Sequence, residues 1–328
     1  AAAVVEISHF GFGGEAPTIL YVAKEGRVVV INGQGPAPLD AHPGMFAAKG
    51  TVDTNGPLAA TIPAVLDAMA IILRRFGTMR LEQVMGPAIE LADGFPLYQF
   101  LRQHLIVHRE ATERWQASRA TYYPEGRVPE VGEVFRQPQL AATLRAIVDA
   151  ERSHFARCRD RDLAIQAGRD LFYKGELAKR IVAANRNAGG AFQEVDLADF
   201  HGTEEAAVTV SFSGYDVHKA GPWNQGPVLL QVLNILEQFD LRSMGHNSAS
   251  YLHTVHEAIK LAYADRNAYY GDPRFARVPM TGLLSKEYAA VRAKLIEAKA
   301  SLEHRFGDPF AFDPDVRAPN QPYRPHTQ

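Results

Sequence analysis

The chain of 328 residues is 46% hydrophobic and 22% charged with a formal net charge of -2, enough to bury a substantial core and without the basic excess of a general nucleic-acid binder. No apolar run approaches the ~18 residues needed to cross a bilayer as a helix. A single cysteine, Cys158, excludes an intrachain disulfide, and its place between Arg157 and Arg159 suggests exposure rather than a catalytic thiol.

The sequence opens on Ala1-Ala2-Ala3-Val4-Val5, which reads as the tail of an apolar helix, so Ala1 is expected to be an internal start. Gly11-Phe12-Gly13-Gly14 then leads into an alternating strand over 18–23 and a second over 28–31. The Lys24-Glu25-Gly26 turn between them predicts an antiparallel hairpin. Gly33-Gln34-Gly35-Pro36-Ala37-Pro38 follows, so glycine loops flank the hairpin on both sides. Glycine permits the backbone to approach another group closely, although a glycine loop by itself is more often plain connection than a binding loop.

Helical spacing predicts helices over 64–76 and 81–92, the latter with Pro87 as a kink or break, and another over 99–116. Residues 122–129 read as an exposed loop. Helices resume over 139–150, 164–172 and 176–188, the last stopped by Gly189-Gly190. A second hairpin, 208–212 with 215–219, turns at Ser213-Gly214. The loop Gly221-Pro222-Trp223-Asn224-Gln225-Gly226-Pro227 precedes a helix over 228–239, and a long helix over 248–270 takes Ser248 or Asn247 as its cap. Residues 1–310 read as one domain portion, and 311–328 as a flexible tail rich in proline, with Pro314, Pro319, Pro322 and Pro325. His253, His256 and Glu257 share a helical face but lack the His-Glu-x-x-His order of zinc peptidases, so no metal site is expected there.

The order of short motifs along nearly the whole chain resembles the large subunit of the gamma-glutamyltransferase family of N-terminal-nucleophile hydrolases. It starts at Val4-Val5-Glu6 before Gly11-x-Gly13-Gly14 and passes through Ile62-Pro63, Arg75-Phe76-Gly77-Thr78 and Pro87-Ala88-Ile89-Glu90-Leu91-Ala92-Asp93-Gly94-Phe95-Pro96. It continues through Phe172-Tyr173-Lys174-Gly175-Glu176, Leu197-Ala198-Asp199-Phe200, Gly245-His246-Asn247-Ser248, Ala264-Asp265-Arg266 and Gly271-Asp272-Pro273.

The resemblance implies an α/β fold, the four-layer αββα sandwich, of which this chain would supply the large-subunit portion. A small subunit from the same precursor would complete it and carry the nucleophile, with a dimer of heterodimers left open as the assembly. No catalytic residue is then expected in this chain. A threonine immediately after Gln328, the processing junction, would act through its own freed amine on the amide of a small substrate. No cofactor, metal, nucleic acid or membrane is implied, and the compartment stays open between cytoplasm and periplasm.

Three departures from the family pattern bear on specificity. Gln34 stands where the family's Gly-Arg-Glu-x-Ala-Pro segment places an arginine that grips the glutamyl α-carboxylate. Losing that charge-assisted contact costs about 1.5–3 kcal/mol, or about tenfold to a hundredfold in affinity. Glu15 replaces a usual glycine and adds a carboxyl to the first loop. Trp223 lies in a segment that is Pro-Pro-Ser-Ser-Gly-Gly in the family, and it offers a flat surface to a bulkier acyl group. The expectation is an amidase of the same mechanism with an altered acyl preference, comparable with oxamate-type amidohydrolases and cephalosporin-type acylases. The alternative is a non-catalytic binding protein on the same fold. Asp265-Arg266 and Asp272-Pro273 are expected to form an ion pair and a turn that hold the subunits together.

Overall fold

The longer helices of this chain follow apolar residues that recur every three or four positions, and at some of them a side chain such as Asp160 or Ser248 caps the first turn. The computed structural model describes residues 1–48, 50–52 and 54–314. The chain divides into two units, one made of Ala1–Thr18 and Ile31–Thr203, the other of Ile19–Val30 and Glu204–Gln328.

In the first unit, helix Val65–Phe76 packs on Arg161–Tyr173, which in turn packs on Pro138–Cys158 and Glu176–Asn187. Ile62, Leu66, Leu81, Ile147, Ile165 and Phe172 are among the large side chains of the core in this unit. Each such side chain contributes roughly 1.5–3 kcal/mol by burial. The carboxy end of Val65–Phe76 is closed by Arg161, whose Nε donates to the Met79 carbonyl at 3.0 Å and Nη2 to that of Gly77 at 2.9 Å. A cation is well placed there, at the negative end of the helix dipole. Asp160 caps helix Arg161–Tyr173 by accepting from the Asp162 and Leu163 amides, both at 2.9 Å.

A second cluster in this unit gathers Val4, Leu97, Leu101, Leu105, Tyr123 and Phe135 around a two-stranded ribbon that pairs Phe95 with Phe135.

Several boundaries differ from the sequence reading. Leu81–Asp93 runs through Pro87 without ending, leaving the Gln83 carbonyl without its helical donor. The single helix expected over 99–116 is three short ones, Gln99–Val107, Arg109–Glu113 and Gln116–Tyr122; the first break falls at His108, and the second falls where Trp115 takes extended backbone and Arg119 Nε takes the Glu113 carbonyl at 2.9 Å. Within the expected loop 122–129, Tyr123 is buried. The helix expected over 139–150 continues to Cys158, since Glu151 keeps to the buried stripe and Arg80 stacks 4.4 Å over the Phe155 ring.

The hairpin strands Thr18–Val22 and Arg27–Asn32 form a three-stranded sheet with an unanticipated strand, Thr203–Ala206. In the second unit Val208–Phe212 pairs with Tyr215–Lys219, and Ser213 and Gly214 have φ of 49° and 84°, the two positive values of a type I′ turn. Helix Gly226–Leu236 packs on Ala249–Tyr269 and on Lys286–Ala293, burying Val228, Val232, Ile235, Leu261 and Ala289. Ser248 is the cap of the long helix, accepting from the Tyr251 amide at 3.1 Å. Pro309–Phe312 is a short 3-10 helix with Pro309 buried. Of the expected tail, residues 311–313 lie in and beside this turn, and 315–328, including Gln328, lie outside the described residues.

Candidate functional site

The two glycine loops of the first unit are fastened to one segment, residues 61–65, at the start of helix Val65–Phe76. The Ala64 amide donates to the Gly14 carbonyl at 2.9 Å, and the Ile62 amide donates to the Pro36 carbonyl at 3.1 Å. The loops also bond each other, Ala16 N to Gly33 O at 2.8 Å. Gly33 and Gly35 are glycines by necessity: a β-carbon on Gly33 would lie 2.4 Å from the Ala16 carbonyl oxygen, and one on Gly35 would lie 1.7 Å from that of Ile62. Gly11 and Gly13 have no neighbour within 4 Å of the corresponding position, so their small size is not required by packing within the chain.

This fastening brings Gln34 and Glu15 onto the same support. Gln34 is half-buried, and its backbone N–H donates to Asn32 Oδ1 at 3.2 Å. Glu15 is half-buried too, accepting from the Thr61 hydroxyl at 3.3 Å. Burial pushes the Glu15 carboxyl above its ordinary range, and the Thr61 hydrogen bond partly offsets this. Beneath the loops lies a buried polar network. Arg169 Nε donates to Asp67 Oδ1 at 2.5 Å, and Asp67 Oδ2 accepts from the Gly202 amide at 2.6 Å. The Tyr173 hydroxyl donates to the Pro63 carbonyl at 2.8 Å and accepts from the Asp67 amide at 3.2 Å.

Trp223 belongs to the second unit. It is half-buried, and its indole Nε1 donates to Glu205 Oε2 at 2.8 Å, which fixes the ring's orientation. In the same unit the expected pairing of Asp265 with Arg266 is corrected. Asp265 is fully buried and pairs with Arg292 at 3.1 Å, while Arg266 lies over the Tyr263 ring. Adjacent residues on a helix point to different sides, so an i, i+1 pair was geometrically unfavourable. Asp272 is held by Arg274 Nη2 at 2.6 Å and opens a turn closed by Phe275 N to Asp272 O at 2.9 Å. Glu257 pairs with Arg305 at 2.9 Å and with Lys260, and His253 Nε2 lies 2.7 Å from the Glu297 carbonyl oxygen.

Asp67, Arg169 and Tyr173 were not anticipated as site residues. The available signal was a lone acid, Asp67, on the apolar face of Val65-Leu66-Asp67-Ala68-Met69-Ala70. Its partner stands 102 residues away, beyond the reach of any periodicity.

With this geometry in place, the comparisons are specific. A family model described as gamma-glutamyltranspeptidase matches residues 1–327. The solved gamma-glutamyltranspeptidase of Helicobacter pylori superposes with a TM-score of 0.85 at 28% identity, covering 98% of this chain and 88% of that one. The cephalosporin acylase of Bacillus halodurans superposes at 0.82 with 30% identity, covering 94% of this chain and 55% of that one. A glutathione hydrolase proenzyme of Pseudomonas sp. (strain A14) is 34% identical over 311 residues, 92% of this chain and 51% of that protein. The fold is therefore that of the N-terminal-nucleophile hydrolases, the αββα class, in its large-subunit portion. Within that class the chain belongs to the gamma-glutamyltranspeptidase family. It spans about half the length of the curated relatives it matches.

Proposed function

We propose that this chain is the larger part of a self-processed amidase, in which a threonine following Gln328 heads a partner chain and attacks the substrate amide. The threonine's free amine takes the hydroxyl proton, the threonine oxygen bonds the acyl carbon, and that proton passes to the substrate nitrogen as the C–N bond breaks and the substrate amine leaves. Water or an acceptor amine, losing its proton to the threonine amine, then attacks the ester and returns the threonine hydroxyl as the acyl group departs. The proenzyme names of the curated relatives support a two-chain product.

The observation that carries the specificity reading is Gln34. The loop around it keeps the close backbone approaches at Gly33 and Gly35, yet offers a neutral amide where the family pattern has a cation. An acyl group with a free α-carboxylate is disfavoured at such a site, and one without it is preferred. Likeness to a cephalosporin acylase supports a bulkier, uncharged acyl group. Trp223, whose ring Glu205 orients, is a separate candidate for acyl selectivity.

Two measurements test this. Intact mass of the precursor, wild type against a variant at the residue after Gln328, should give two chains and one chain respectively. Gln34→Arg should raise kcat/KM for a gamma-glutamyl anilide about tenfold or more. A two-chain enzyme in which Gln34→Arg gives no gain would sink the specificity reading. An uncut, inert wild type would leave the non-catalytic binder.

A further inference from the structure

We propose that Asp67, Arg169 and Tyr173 are positioning residues for the acyl pocket, setting the Gln34 loop through two routes, one that includes a close backbone contact and one made of hydrogen bonds along residues 62–64. The inference rests on the assignment of Gln34 to that pocket.

The first route runs through Gly202. Arg169, with only 1% of its surface exposed, holds Asp67 at 2.5 Å and also donates to the Phe200 carbonyl. Asp67 Oδ2 draws in the Gly202 amide at 2.6 Å. Gly202 in turn lies so close to Asn32 that a β-carbon would be 2.7 Å from the Asn32 carbonyl oxygen. Asn32 Oδ1 then accepts from the Gln34 backbone N–H at 3.2 Å. The second route runs through Tyr173, whose ring lies 4.2 Å from the Arg169 guanidinium carbon. Its hydroxyl holds Pro63, between Ile62 and Ala64, and those two residues bond the Pro36 and Gly14 carbonyls.

A buried ion pair is a poor device for stability alone, because desolvating two charges offsets most of their attraction. Here Asp67 Oδ2 and Arg169 Nη2 reach the backbone of Gly202 and Phe200, while Arg169 Nη1 is taken up by the Asp170 carboxylate at 3.1 Å, so the network fixes where that backbone lies beside Asn32. Asp67 and Tyr173 touch no reacting atom in this scheme, and their influence passes through Gln34.

Tyr173→Phe tests the role without changing volume, in the full self-processed enzyme assayed with the amide it turns over best. Expected are complete processing by intact mass, kcat within twofold and KM raised about three- to tenfold, the scale of one lost hydrogen bond. The KM effect should vanish when Tyr173→Phe is added to Gln34→Ala. A lowered melting temperature with unchanged KM, or an equal KM rise in both backgrounds, would make the network merely structural and overturn the proposal while leaving the pocket reading intact. An unchanged KM in Gln34→Ala itself would remove Gln34 from the pocket and overturn both. Should Tyr173→Phe fail to fold, Asp67→Asn, of the same size, carries the same comparison.

Discussion

The α-carbon of Gly35 faces the Ile62 carbonyl so directly that a β-carbon would stand 1.7 Å from its oxygen, while the Ile62 amide bonds the neighbouring Pro36 carbonyl at 3.1 Å. Gly35→Ala must therefore push the loop off its support. A loss of about 1–3 kcal/mol in thermal unfolding is expected, together with a raised KM. Gly13→Ala, with open space around it, should leave the melting temperature unchanged.

Asp265 and Arg292 are 3.1 Å apart with side-chain exposures of 0% and 3%, and Asp265 also accepts from the Gly307 amide at 2.9 Å. Arg292→Met leaves a buried carboxylate without its cation and should cost about 3–5 kcal/mol in urea unfolding. The double variant Asp265→Asn with Arg292→Met should recover part of that loss, because no uncompensated charge remains.

Glu151 supplies a pH signature. Its side chain is fully buried, neither carboxyl oxygen has a hydrogen-bond partner, and the Arg80 Nε is 3.7 Å away. Burial raises its pKa, with Arg80 pulling the other way. A carboxyl raised on folding favours the folded state fully below its unfolded pKa, and that stability is lost as pH rises through the folded value. Glu151→Met should thus be more stable than wild type at pH 7 by about 1–3 kcal/mol, and the advantage should shrink as pH falls towards about 4, where the carboxyl is protonated in both folded and unfolded chains. Chemical denaturation at the two pH values checks it.

Trp223 makes a selectivity prediction. Trp223→Ala should lower kcat/KM for an aryl-acyl amide about three- to tenfold and for an acetyl amide less than twofold, the scale of one lost ring contact. Equal losses for both substrates would leave Trp223 without a part in acyl selectivity.

Legibility in the sequence followed the range of the forces involved. The hairpin around Lys24-Glu25-Gly26, the helix Val65–Phe76 and the Ser248 cap depend on neighbours within a few residues, and periodicity exposes them. The break at Trp115 depends on Arg119 reaching back to a carbonyl, and the extension to Cys158 on Glu151 hiding a charge inside an apolar stripe. Gln34, Glu15 and Trp223 could be nominated from loop sequence. Their supports, Asn32, Thr61 and Glu205, could not, since each is chosen by the folded chain rather than by local pattern.

The interleaved membership of the two units has a consequence for the order of synthesis. Residues 19–30 belong with a stretch that begins at Glu204, so the nascent hairpin emerges long before the remainder of its unit exists. At about 5–20 residues per second that interval lasts on the order of 10–35 s. During it the strand Arg27–Asn32 lacks its third-strand neighbour, Thr203–Ala206, and its unpaired backbone is open to mispairing with other chains. Slowing the ribosome between codons 31 and 203 should therefore lower the soluble yield, whereas slowing it after 206 should not.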